Sequence, residues 1–506
     1  MKIKRLILEN KFLVILFVLS TSFFVFQHYI NLSWDFAAYV SNAKYFAGEG
    51  NYFELLRGPL MPAILIPLSV FGWTASEYIF IIMISLLFLY SSIKLSDAAK
   101  IDRNIFYLFS LSPFVLFFGF INGTEILSIA LLELFIAFLL QGKSYTGIFI
   151  GLAFLARYTM IIFLPLVILS GGKKKILKSL ACFFVISIPW LVYNFNKTSN
   201  MFSSFADSYA LNVAFRQYIV QPVNYFDFFV VVSFFLPFFI IGLVKILRSW
   251  KINNIQAFIK KEKINIIFIL IILFSIYQLY KTPIKEIRYL FTLAIPVAYF
   301  STIGMDVIRN AYHRHFKLVL SILIILIIVH FSYINLSVQY SSGEAYAESI
   351  SKINELNLSE CKTLSNAWVP LSYLGKNTGP FPAKNLLKNS IDQGNFIILF
   401  YFIQEPSWVM NSTFLHEHQI LYENNNFAIL GNSSECNRNK QNDQTYLNMT
   451  WYKILSVKNK SININPCFVL FDSMQIMENG CNYINYGRFM TDSNRISGSG
   501  IVKMLE

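Results

Sequence analysis

Apolar runs close to 20 residues long, separated by short basic or polar turns, govern what this chain can fold into. A helix needs about 20 apolar residues to cross the hydrocarbon of a bilayer. Inside lipid every backbone N–H and C=O must be satisfied within the segment, so such runs are helices. Clear candidates are residues 12–30, 76–95, 104–122, 125–141, 176–195, 226–247, 264–280, 289–308 and 317–337. Composition agrees. Of 506 residues 55% are hydrophobic and 14% charged, where a soluble domain carries about 25% charge. The net charge of +14 does not point to nucleic acid. Its basic residues lie in short runs between spans, where they set topology. The chain has no GxGxxG, Walker loop or basic–aromatic alternation. No small-residue cleavage site follows the first run, which is expected to stay as an anchor.

Two segments are less regular. Leu60–Trp73 is short and carries Pro62 and Pro67 just after Pro59, which suits a re-entrant or interfacial helix. Tyr145–Ser170 fits one tilted helix or two short crossings. Lys143 on one side and Lys173, Lys174, Lys175 and Lys178 on the other favour two, with Arg157 at the turn and eleven crossings in all. The N-terminus is then cytoplasmic and the chain's end external. The chain is read as a multi-pass protein of the cell membrane.

Hydrophobicity collapses near residue 340. The expected division is residues 1–338 as a transmembrane domain and 339–506 as an extracytoplasmic domain. Ala345–Leu356, Trp368–Leu374 and Ala383–Ile391 have helical patterns. Lys362–Asn366, Asn395–Phe402, His418–Tyr422, Phe427–Leu430 and Phe468–Phe471 have strand patterns. That alternation predicts a small α/β layer domain. Its four cysteines allow three pairings, of which Cys361–Cys436 with Cys467–Cys481 is favoured. A zinc site is the alternative, although no CxxC pair exists. His416-Glu417-His418 lacks the HExxH spacing. The fold class is thus a polytopic α-helical membrane protein with a C-terminal extracytoplasmic α/β domain.

Charged residues on the expected outer face stand out. Asp35 follows the first span directly, in Trp34-Asp35-Phe36-Ala37-Ala38-Tyr39. An acid at the membrane is a functional candidate, although Asp is also a common N-cap. On a helix, Tyr39 shares its face at i+4. Glu125 opens a span on the same side, a position the helix dipole also favours. Arg57, Arg157, Lys281, Lys285 and Arg288 break the positive-inside trend. A lipid phosphate accounts for such exceptions, and so does snorkelling or pairing with Glu286.

The first loop, from Trp34-Asp35 to Arg57-Gly58-Pro59-Leu60-Met61-Pro62, resembles that of the GT-C superfamily of membrane glycosyltransferases. The similarity is greatest to the dolichyl-phosphate-mannose:protein mannosyltransferase-like and aminoarabinose-transferase-like branches. Three later segments are similar too, and the resemblance covers about residues 10–310. Gly151-Leu152-Ala153-Phe154-Leu155-Ala156-Arg157-Tyr158 resembles the family's GLAFLTR segment. Glu286-Ile287-Arg288-Tyr289 resembles its ERYLLP-like motif. Pro189-Trp190-Leu191-Val192-Tyr193-Asn194 resembles a segment at the outer end of a helix.

The resemblance implies transfer of a sugar, with inversion, from a polyprenyl- or dolichyl-phosphate donor to an acceptor hydroxyl on a protein, glycan or lipid. Asp35 would be the base. Glu125 would position the acceptor or a divalent cation, Mg2+ or Mn2+. Arg57, Arg157, Lys281, Lys285 and Arg288 would hold the donor phosphate, and Tyr39, Glu286 and Tyr289 the rest of the substrate. The family often has two adjacent acids where this chain has Asp35-Phe36, which weakens a two-carboxylate or metal mechanism on this loop. The rivals are a polyprenyl-linked glycan flippase or transporter, and a glycan polymerase. An enzyme brings Asp35 and Arg288 into one outer site, whereas a transporter places its charges near mid-membrane.

Overall fold

The computed structural model describes residues 11–30, 32–50, 52–214, 221–250, 258–259, 261–283, 285–312, 316–337, 342–381, 387–403, 418–432, 436–438, 443–445, 475–476 and 484–485. Among these, six helical stretches are long and apolar enough to cross a membrane: Lys11–Ile30, Trp73–Ala99, Lys173–Thr198, Phe226–Ser249, Lys263–Lys281 and Ile287–Ala311. Shorter apolar helices fill the spaces between them. The run 104–122 is not one helix. It divides into Arg103–Ser110 and Pro113–Phe118, because Pro113 starts a new helix capped by Ser112. The stretch around Arg157 divides as well. Gly147–Ala156 is α-helical, Tyr158–Ser170 is a 3₁₀ helix, and Arg157 between them is extended. Leu60–Leu68 is the expected short helix, closed by a single turn at Ser69–Phe71.

Small and polar residues knit the bundle. A Cβ on Gly242 would collide with the carbonyl oxygen of Phe300, and one on Gly304 with that of Phe238. These two helices therefore pack backbone to backbone, as small residues permit in membrane helices. Ser91 and Ser92 donate to Glu133 Oε2 at 2.6 and 2.9 Å, tying Trp73–Ala99 to Glu125–Leu140. Tyr299 donates to Asn265 Oδ1 at 2.7 Å across another helix pair.

At one end of the bundle sits a five-stranded sheet. Its strand order is Thr378–Pro380, Thr363–Ser365, Phe396–Phe400, Phe427–Leu430, Ile420–Glu423. The first three strands are parallel and the last two form an antiparallel hairpin. Phe396–Phe400 is fully buried, as a central strand covered on both faces must be. The Cys361–Cys436 disulfide is formed. Cys467, Cys481 and the Phe468–Phe471 strand pattern lie outside the described residues, as do His416 and Glu417.

The sheet domain grips the first loop. Its helix Trp368–Tyr373 packs on helix Trp34–Phe46, with the ring of Trp368 against Trp34 at 5.6 Å and Tyr52 at 5.1 Å. Lys44 donates to the carbonyl of Tyr373 at 2.8 Å, and Tyr373 donates to Glu77 Oε1 at 2.7 Å. His28 meets the other oxygen of Glu77 at 2.8 Å. Strand Tyr52–Glu54 also pairs in parallel with Asp443–Thr445.

Candidate active site

The helix carrying Asp35 starts where its sequence says it should. Ser33 is the N-cap, its hydroxyl accepting from the Phe36 N–H at 3.2 Å. Capping is thus done two residues earlier, and Asp35 sits in the first turn with its carboxylate turned to other partners. Arg57 Nη1 lies 3.1 Å from Asp35 Oδ1, and Arg288 Nη1 lies 2.5 Å from Asp35 Oδ2. Each guanidinium also holds a second acid: Arg57 pairs with Glu54, and Arg288 with Glu286. Charge therefore alternates along Glu54, Arg57, Asp35, Arg288 and Glu286.

The two arginines are held unequally. Glu54 is buried and fixed. Its backbone exchanges both hydrogen bonds with the Asn42 side chain, at 2.8 and 2.9 Å, and its carboxylate also accepts from Tyr52. Arg57 lies 5.3 Å over the Tyr39 ring. Burial works against its charge, yet Glu54 and Asp35 outweigh that and hold its pKa above the ordinary arginine value. Burial likewise raises Tyr39, against the pull of Arg57 and Arg157. Arg288 is looser, because its second partner Glu286 keeps 35% of its side chain in solvent. The Tyr289 ring lies 5.9 Å from the Arg288 guanidinium.

Close backbone approach sets the wall of the site. A Cβ on Gly58 would strike the carbonyls of Leu155 and Ala156, so the first loop presses against the residues just before Arg157. Tyr158 reinforces the contact by donating to the Arg57 carbonyl at 3.0 Å. Trp190 Nε1 donates to Tyr158 Oη at 2.8 Å and to Ser204 at 2.9 Å. Trp190 is therefore a buried support of this wall. Arg157 pairs with Glu125, which is fully buried and also accepts from Asn122 Nδ2 at 3.2 Å.

Most of the expected residues thus converge: Asp35, Tyr39, Arg57, Glu125, Arg157, Glu286, Arg288 and Tyr289. The two lysines do not join them. The Lys285 ammonium donates to the carbonyls of Leu279 and Tyr280, both at 3.0 Å, and to that of Thr282. It closes the C-terminus of helix Lys263–Lys281, where a cation offsets the helix dipole. Lys281 lies over the Tyr277 and Tyr280 rings at 5.7 and 6.0 Å. Sequence reasoning missed Glu54, although its i,i+3 spacing to Arg57 was a readable signal. Asp35, Glu54, Glu125 and Glu286 each hold a guanidinium, and among the described residues no three His, Cys, Asp or Glu side chains gather as ligands.

The fold of the chain is shared with a solved membrane-protein structure. A solved structure with the same fold is ArnT from Cupriavidus metallidurans bound to undecaprenyl phosphate, with a TM-score of 0.55 and 10% sequence identity, covering 84% of this chain and 98% of that chain. No protein-family model matches the sequence. No curated protein matches it either.

Proposed function

We propose that the protein is a membrane glycosyltransferase that moves a sugar from a polyprenyl-phosphate donor to an acceptor hydroxyl, with inversion, at the extracytoplasmic face. The observation that carries this reading is Asp35 held between Arg57 and Arg288 within an ArnT-like fold. That is the single site expected of an enzyme. The polyprenyl-phosphate donor is supported by the undecaprenyl phosphate bound to that neighbour.

In this reading the acceptor O–H proton passes to Asp35. The acceptor oxygen bonds to the anomeric carbon as the bond from that carbon to the phosphate oxygen breaks. The electron pair leaves on polyprenyl phosphate, against the guanidiniums of Arg288 and Arg157. Arginine suits the task because its planar fork binds phosphate oxygens in pairs and keeps its charge. Glu125 serves by holding Arg157. The N-terminus lies in the cytoplasm and the sheet domain outside, with residues 1–338 forming the catalytic domain.

The test is incubation of purified protein with a panel of radiolabelled polyprenyl-phosphate sugars and with candidate acceptors. Release of polyprenyl phosphate together with labelled product is expected. Absence of release for every donor, with movement of the intact labelled lipid across proteoliposomes, would transfer the assignment to a flippase.

A further inference from the structure

We infer that the donor phosphate takes Arg288 away from Asp35, so that the base is masked in the free protein and unmasked by the first substrate. The inference rests on the glycosyltransferase reading and adds an order of binding to it: donor first, acceptor second.

Three carboxylates, Glu54, Asp35 and Glu286, share the two guanidiniums of Arg57 and Arg288. Arg157 stays held by the buried Glu125, so a second guanidinium for the phosphate comes from the shared pair. A phosphodiester entering this cluster carries one negative charge. It obtains a guanidinium by exchange with a carboxylate.

The surroundings indicate which pair gives way. Arg57 is anchored by Glu54, which is buried and bound through both its backbone groups to Asn42. Its own carbonyl accepts from Tyr158. Arg288 has no comparable anchor among the hydrogen bonds and ion pairs described above. Its second partner Glu286 is 35% exposed, and Arg288 is 19% exposed against 12% for Arg57. Rotation of the partly exposed Arg288 side chain toward a phosphate trades one anionic partner for another. Swinging the Arg57 side chain away would also pull it from the buried Glu54 and leave that carboxylate with Tyr52, a costly outcome.

The exchange has a chemical consequence. A positive charge within about 4–6 Å favours the ionised form of a carboxylate over its protonated form. With Arg57 and Arg288 both in place, both carboxylate oxygens of Asp35 face a guanidinium. Once Arg288 moves to the phosphate, Oδ2 faces the acceptor hydroxyl with one guanidinium fewer. Acceptor arriving alone meets a masked base.

The test measures binding of undecaprenyl phosphate, and of undecaprenol as its uncharged control, to protein in nanodiscs. Four proteins are compared: wild type, Asp35→Asn, Arg288→Gln and the double variant. Asp35→Asn should bind the phosphate about tenfold more tightly than wild type, a change of about 1.4 kcal/mol. In the Arg288→Gln background the same substitution should change affinity less than about twofold, because the competition acts through Arg288. Equal tightening in both backgrounds would mean plain repulsion and would overturn the exchange, as would no tightening at all. A wild type that binds undecaprenyl phosphate no better than undecaprenol would instead remove the polyprenyl-phosphate reading itself. Carbodiimide labelling of Asp35 in the wild type, read by mass spectrometry, needs no variant. Undecaprenyl phosphate should raise it several-fold, and protection of Asp35 by the lipid would overturn the inference.

Discussion

Arg288 and Asp35, 253 positions apart in the chain, stand 2.5 Å from each other at the end of the bundle that carries the sheet domain. Arg288 opens a 3₁₀ turn before a late helix, and Asp35 lies in the first turn of a helix after the first span. The contact closes the helical bundle on itself at the candidate site. Side chains at this contact are 19% and 13% exposed, so the pair is sheltered but open to a ligand.

Asp35→Asn keeps the size of the side chain and removes the proton acceptor. Ser33 caps the helix, so the substitution leaves the cap intact. Transfer should fall by roughly 10²-fold or more, the scale of losing a general base. The measurement is the single-turnover rate of protein that passes a thermal-unfolding check. Wild-type turnover by the folded variant would show that another group takes the proton.

Gly58→Ala tests the wall of the site. The added Cβ meets backbone carbonyls of Leu155 and Ala156, which cannot rotate away as a side-chain end can. Overpacking of this kind costs about 1–3 kcal/mol, and here it pushes Arg57 away from the Arg157 segment. Expected are a modest fall in melting temperature and a larger loss of donor affinity. Unchanged affinity with a lowered melting temperature would show that the close approach serves stability alone.

Much of this was legible in the sequence, for physical reasons. Apolar runs of this length announce helices in lipid because only a helix satisfies the backbone within a single segment. The break at Arg157 was signalled by basic residues on both sides of Tyr145–Ser170. Four of the five strands of the sheet follow from short apolar segments around turns such as Asn424-Asn425-Asn426, whereas Thr378–Pro380 carries no such pattern. Other features depend on three-dimensional neighbours. Lys285 looked like a phosphate ligand because its charge breaks the topology rule. Its partners are carbonyls at a helix end, which every sequence has and none advertises. The break at Pro113 was hidden within a continuous apolar run. The supporting role of Trp190 depends on its N–H reaching Tyr158, a neighbour 32 positions away.

The Cys361–Cys436 disulfide closes a loop of 75 residues around all five strands of the sheet. Loop-closure entropy for that length amounts to about 4 kcal/mol in the chain-entropy account. Cys361→Ser should therefore lower the unfolding temperature of the sheet domain strongly while the membrane helices stay folded. Differential scanning calorimetry and protease digestion in nanodiscs would show this as early loss of the domain. Retention of the wild-type melting profile would mean that packing of Phe396–Phe400 alone holds the sheet.

Trp368→Ala asks whether the sheet domain contributes to chemistry in the membrane domain. Trp368 is 2% exposed and packs edge-on against Trp34 and Tyr52. Trp34 directly precedes Asp35, and Tyr52 holds Glu54, the anchor of Arg57. The ring thus supports both ends of the Asp35–Arg57 pair. Removing a buried Trp costs about 3–5 kcal/mol, enough to loosen the domain without unfolding the helices. Transfer should then fall while undecaprenyl phosphate still binds, because Arg288 is carried by a separate segment, the 3₁₀ helix Ile287–Leu293. Trp368→Phe, which keeps an aromatic ring in the same place, should restore most of the rate. A Trp368→Ala protein with wild-type turnover and an intact, protease-resistant sheet domain would show that the domain sits on the site without positioning it.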